Sequence, residues 1–200
     1  MADQKISAMP AATTPLTGSE LVPLVQSGAN VRSTVALFGA YARSAFSNYG
    51  AFQDTTSQTG NPAVPTVMTL NTTDLASGVT LASGSRVTAA VAGVYNFQWS
   101  GQFQNLDNAP QDATVWIRIN GVDVIGSAGL IGLGQRKAVG NPTHVIAGWN
   151  YFVTLTAGQY IELVWVPTIA TVTIQAYPLT IGPPATPSTS SLVVTMSQIA

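Results

Sequence analysis

Cysteine is absent from the 200 residues, which excludes a disulfide framework, thiol catalysis and cysteine-ligated zinc. Charge is scarce as well. Seven basic and eight acidic side chains make up 8% of the chain, against about 25% in an average soluble domain. The resulting net charge of −1 leaves no excess of cations to hold a phosphate backbone, so nucleic acid is not an expected partner. No apolar run approaches the roughly 18 residues of a membrane helix. The opening Met1-Ala2-Asp3-Gln4-Lys5 lacks the apolar stretch of a signal peptide. Acid–base chemistry is thinly supplied, with one histidine, His144, and two glutamates, Glu20 and Glu162.

What is present is hydroxyl and turn chemistry: 24 Thr and 16 Ser, with 18 Gly and 12 Pro. Together with the many Val, this is a strand-and-turn vocabulary. From Gly93 to Gln104 the alternation is clean, with Tyr95, Phe97, Trp99 and Phe103 on one face and Asn96, Gln98, Ser100, Gln102 and Gln104 on the other. Val115, Ile117 and Ile119 form the next inward set, ended by the hairpin signal Asn120-Gly121. Further strands are expected at 143–156, 159–166, 170–177 and 191–199, and earlier ones near 49–54, 64–70, 78–82 and 85–91. The glycine-rich stretch from Gly126 to Gly134 reads as an inter-strand loop, since it lacks the ending and helix of a phosphate-binding loop. The expected fold is all-β, an antiparallel two-sheet jelly-roll sandwich over residues 49–200.

Residues 1–48 are expected to form a small hairpin/helix segment ahead of it. Ile6-Ser7-Ala8 and Glu20 to Gln26 read as extended pieces, with Pro23 barring a central sheet position. Ser27-Gly28-Ala29-Asn30 supplies a turn, and Thr34 caps a helix from Val35 to about Ala45. The apolar residues Ile6, Leu21, Val22, Leu24, Val25, Val35, Leu37, Phe38 and Tyr41 are too few for a core of their own.

Two strands are apolar on both faces. In 159–166, Ile161, Leu163 and Trp165 oppose Tyr160, Glu162, Val164 and Val166; in 144–155, Trp149, Tyr151, Val153 and Leu155 oppose Ile146 and Phe152. A sandwich buries one face of each sheet, so the second face is expected to meet another copy of the chain. Trp116 and Arg118 share a face opposite the core set and join that interface or are merely exposed. Asp107, Asp112 and Asp123 fall in one hairpin region and could gather oxygen ligands for calcium, although their spacing is not that of an EF-hand and carboxylates spread over a hairpin are usually solvated. His144 has no recognisable partner, and Asn71-Thr72-Thr73 reads as a turn. No cofactor is expected.

The series Tyr49 to Thr59, Asn71-Thr72-Thr73, Gly78 to Leu81, Ser85 to Thr88, Gly93 to Phe97, Trp116 to Val124, Gly148 to Phe152, Leu155 to Tyr160 and Pro187 to Gln198 resembles a phage domain with the tumour-necrosis-factor-like jelly roll, as in complement globular heads. The front end, Lys5 to Ala12 followed by Leu16 to Gln26, is similar to a segment opening many phage tail-fibre and head-associated proteins. These resemblances imply a non-enzymatic virion protein. It would be a homotrimeric knob, with residues 1–48 attaching it to the major capsid protein or another virion protein. Capsid decoration or head fibre is the first expectation, because no coiled-coil or repeat shaft is visible. A tail adaptor or receptor-binding tip that touches a host surface glycan or receptor is the alternative.

Overall fold

A computed structural model describes residues 15–45 and 48–200. The chain falls into two compact units, Met1–Phe46 and Ser47–Ala200; the Ile6 piece of the sequence reading lies outside the described residues.

In the first unit, β1 (Leu21–Gln26) and β2 (Ala29–Thr34) form a hairpin that leads directly into α1 (Val35–Ala45). Ser27 and Gly28 both adopt positive φ, 50° and 79°, the pairing a two-residue hairpin turn requires. Counting the alternating pairs outward from Gln26↔Ala29, Pro23↔Arg32 falls at a non-hydrogen-bonded site. Proline's missing N–H therefore costs the ribbon nothing and removes a donor from its outer edge. Thr34 caps the helix, accepting the Leu37 N–H on Oγ1 at 3.2 Å.

The second unit is an all-β antiparallel sandwich of jelly-roll type. Its strands are β3 (Tyr49–Asp54), β4 (Gln58–Thr59), β5 (Thr66–Val67), β6 (Thr72–Ser77), β7 (Val79–Ala82), β8 (Arg86–Ala89) and β9 (Gly93–Asn105). There follow β10 (Gln111–Ile119), β11 (Val122–Asp123), β12 (Gly129–Leu133), β13 (Thr143–Leu155), β14 (Tyr160–Pro167), β15 (Val172–Ile174) and β16 (Leu192–Gln198). One sheet runs β11-β10-β14-β8-β7, with β12 also on β10 and β5 also on β14. The other runs β4-β15-β9-β16-β3-β6, with β13 on β9.

Between the sheets lies one core. Tyr95, Phe97, Trp99 and Phe103 of β9 face Val115 and Ile117 of β10 and Ile161, Leu163 and Trp165 of β14, all buried. Phe103 stacks edge-on against both Trp165 and Trp99, with centroids 5.9 and 6.5 Å apart. The Asn120-Gly121 turn has φ of 50° and 79° and pairs Ile119 with Val122.

Several elements differ from the sequence expectation. Gly126 to Gly134 is not a loop throughout, because Gly129–Leu133 pairs with Gln111–Val115. Glycine weakens a strand's intrinsic preference, but here the partner β10 imposes the conformation. Thr72, expected in a turn, opens β6, which pairs with β3 across a bulge at Ala51/Phe52. The strands expected over 64–70, 85–91 and 170–177 shrink to Thr66–Val67, Arg86–Ala89 and Val172–Ile174.

Candidate functional site

Three large apolar side chains of one strand, Ile146, Trp149 and Phe152 of β13, are exposed. This strand pairs with β9 without interruption, from Thr143↔Asn105 to Leu155↔Gly93, and among the described residues β9 is its only strand partner. Among the described residues no strand covers its other edge. Val145, Ala147, Tyr151 and Val153 pack toward the core, while Ile146 and Phe152 point outward with 72% and 64% of their surface exposed.

Trp149, expected on the inward face, is 60% exposed. Its parity is inward, but the ring lies over Gly129 of β12, where a Cβ would sit 3.7 Å from the indole. Leu130, Ile146 and Trp149 rim a cleft of about 330 Å³ with Trp99 and Val115 in its lining. Tyr151 donates its hydroxyl to the Ser127 carbonyl at 2.7 Å. Burial raises the Tyr151 pKa above the usual tyrosine value. Tyr151 of β13 is thus tied to the turn ahead of β12, and among the described residues no strand pairing joins β12 to β13.

The outer face of β14 is largely covered by the chain itself, contrary to the expectation that all of it waits for a partner. Val164 is fully buried; its paired positions are Trp116 on β10 and Val67 on β5. Glu162 is buried and accepts Arg86 Nε at 3.2 Å and Ser85 Oγ at 3.0 Å. The Arg86 guanidinium lies 4.5 Å from the Tyr160 ring centroid. Trp116 Nε1 and Arg118 Nε both reach Asp123 Oδ1 at 2.6 Å. The bond from Arg118, then that from Trp116, holds the Asp123 carboxyl below the usual aspartate range. Trp116, Arg118, Tyr160 and Val166 stay half-buried. Sequence alternation showed which residues leave the core face but not what the same chain lays over them.

In the first unit none of residues 15–42 is buried. Leu21, Val25, Leu37, Phe38 and Tyr41 are exposed, and Val22, Leu24 and Val35 half-buried. Leu24, Val31, Leu37, Phe38 and Tyr41 line a groove of about 560 Å³ between hairpin and helix. Ahead of β1, Glu20 accepts Thr17 N, Thr17 Oγ1 and Gly18 N at 2.7, 2.7 and 2.8 Å. Those bonds, that from the Thr17 backbone first, lower its pKa to about 2.

The remaining candidates form no centre. Among the described residues no group of three His, Asp or Glu side chains gathers to hold a metal, so Asp107, Asp112 and Asp123 are not brought together. His144 Nδ1 lies 3.1 Å from Tyr177 Oη in an edge-on ring contact. Partial burial, then the nearby Lys137 charge, lowers its pKa. Sequence reasoning missed Asp54, a wholly buried carboxylate that accepts Thr56 N, Thr56 Oγ1, Thr69 Oγ1, Asn71 Nδ2 and Gln58 Nε2. No protein-family model matches this chain, and no curated protein matches it at a significant level.

Proposed function

We propose that this protein is a non-enzymatic structural component of a bacteriophage particle. In this reading the sandwich is a tumour-necrosis-factor-like knob that assembles as a homotrimer, and residues 1–48 anchor it to the major capsid protein or another virion protein. The observation that carries the reading is the open edge of β13, where Ile146, Trp149 and Phe152 are exposed in a chain with only 8% charged residues. Apolar patches of this kind on a charge-poor surface mark association sites. The first unit supports attachment in the same way, since residues 15–42 form a hairpin and helix with no buried residue among them and such a segment draws its order from packing on something else. A non-catalytic role is supported by the engagement of the acids: Asp54 by neutral donors, Glu162 by Arg86 and Asp123 by Arg118.

Light scattering of the purified chain should give a mass near three protomers; a monomer at micromolar concentration would end the trimer reading. Decoration of the capsid predicts copies in proportion to the capsid lattice. A tail adaptor or receptor-binding tip, the second placement, predicts the much smaller stoichiometry of a tail, and quantitative mass spectrometry of particles separates the two.

A further inference from the structure

We propose that a second, polar cleft at one end of the sandwich binds an uncharged saccharide, a function beyond the assembly role argued above. The cleft measures about 630 Å³ and lies between the loop after β3, the segment after β15 and the segment entering β16. That volume is within the several-hundred-Å³ range of small-molecule sites. Its lining includes Gln53, Thr55, Ser57, Tyr177, Ser188 and Thr189, and not one charged side chain.

The walls are fixed before any ligand arrives. Tyr177 and Thr189 exchange backbone bonds, N to O at 3.0 Å and O to N at 2.8 Å. Ser57 Oγ donates to Gln175 Oε1 at 2.9 Å and accepts Ala176 N at 3.1 Å. Ser191 N reaches the Asp54 carbonyl at 2.9 Å, and Asp54 in turn fixes Thr56. By contrast the Ser188 and Thr189 hydroxyls carry no hydrogen bond among the described residues, and both line the cleft. Free hydroxyls on a rigid frame are donor–acceptor groups with their ordering entropy already spent.

Chemistry narrows the ligand. An anion would find no cation in the lining, and a cation no carboxylate. An extended peptide would find no strand edge here, because the backbone groups of Tyr177 and Thr189 satisfy each other. An apolar ligand would leave the hydroxyls unpaired at a cost. A neutral sugar fits both parts of the lining, its hydroxyls to Ser188 and Thr189 and its C–H face to Tyr177 and Pro178, while the Gln53 amide, held by Asp74 and Ser190, belongs to the fixed wall.

Saturation-transfer difference NMR on the full-length chain tests this, with methyl glucoside, methyl galactoside, N-acetylglucosamine, cellobiose and lactose as neutral probes and glucuronate as the charged one. At least one neutral probe should give a difference signal that Ser188→Trp abolishes. Thr55→Trp should abolish it from the other wall, so that misfolding of one variant, checked by circular dichroism, does not decide the matter. Thr156→Trp, in the distant turn between β13 and β14, should leave the signal intact. Silence from every neutral probe, a signal that survives both cleft substitutions, or glucuronate binding as well as the neutral sugars would overturn the proposal.

Discussion

Asp54 Oδ2 and Thr69 Oγ1 lie 2.6 Å apart, closing a buried knot that joins the end of β3 to the segment entering β6. With Thr56, Gln58 and Asn71 the carboxylate accepts five bonds from neutral donors, and no cation is among them. A carboxylate held this way depends on its donors for solvation. Asp54→Ala strands several of those donors, and leaving buried polar groups unpaired costs about 1–3 kcal/mol each before relaxation. The expected loss is about 2–4 kcal/mol of stability in urea unfolding; a loss below the scatter of ordinary surface substitutions would mean that water replaces the knot.

Gly60 gives a second stability prediction. A Cβ there would stand 2.6 Å from Pro167 Cδ and 2.9 Å from Trp165 Cζ2. Trp165 is wholly buried in the core, so it cannot swing aside. Gly60→Ala is expected to cost about 1–3 kcal/mol through overpacking. Gly140→Ala serves as a contrast, since nothing lies within 4 Å of its Cβ and only its positive φ of 75° is strained. Thermal melts should rank Gly60→Ala the more damaging; the reverse order would show that backbone strain outweighs steric contact here.

The assembly reading now centres on β13. Ile146→Asp and Phe152→Asp each place a carboxylate on an outward position of the open edge, away from the core. Each should leave the circular dichroism spectrum unchanged while lowering the scattering mass, since an unpaired charge buried at an interface costs several kcal/mol. Tyr160→Asp is a poorer probe, because Tyr160 is half-buried beneath Arg86 and its loss disturbs the fold. Double substitution with no change in mass would move the interface elsewhere.

These residues show how far the sequence could be read. The alternation in β9 and the Asn120-Gly121 turn are local signals, and the structure matches them because side-chain period and turn dihedrals are fixed within a few residues. The Thr34 cap is local too. Burial on the outer face of β14 is not local: Val164 depends on Trp116 and Val67, some 50 and 100 residues away in sequence. Strand β12 was hidden for the same reason, because Gly129-Leu130-Ile131-Gly132-Leu133 becomes a strand only beside β10. Asp54 sits among threonines that suggest a turn, and nothing in its neighbourhood announces that Thr69 and Asn71 return to it.

Glu20 carries the pH prediction. Its folded pKa of about 2 lies below the ordinary 4.5, so the turn it organises is favoured above pH 4.5 and loses that support as the pH falls toward 2. Carbon-detected NMR titration should find the Glu20 carboxylate still ionised where ordinary exposed glutamates are protonated. Glu20→Gln should remove the pH dependence of the Thr17 and Gly18 amide shifts. A midpoint near 4.5 would show that the Thr17 bonds do not persist in solution.

Attachment through residues 1–48 is the last prediction, and the first unit supplies its argument. None of residues 15–42 is buried, yet Leu37, Phe38 and Tyr41 of one helix line a groove with Leu24 and Val31. An extended piece such as Glu20 to Gln26 can in general add to the edge of a partner's sheet. The structure spends one edge of β1 on β2, and Pro23 removes an N–H from the other. Side-chain burial in the groove, and not strand addition along β1, is therefore the expected mode of docking. A chain beginning at Ser47 retains the whole sandwich core and should stay folded, because every residue of that core lies at or beyond Phe52. It should fail to rebind particles stripped of the native protein, whereas the full chain rebinds. Leu37→Asp with Phe38→Asp in the full chain should reproduce the failure without changing the mass of the knob. If the shortened chain docks as well as the full one, the sandwich itself grips the particle and the first unit is not the anchor.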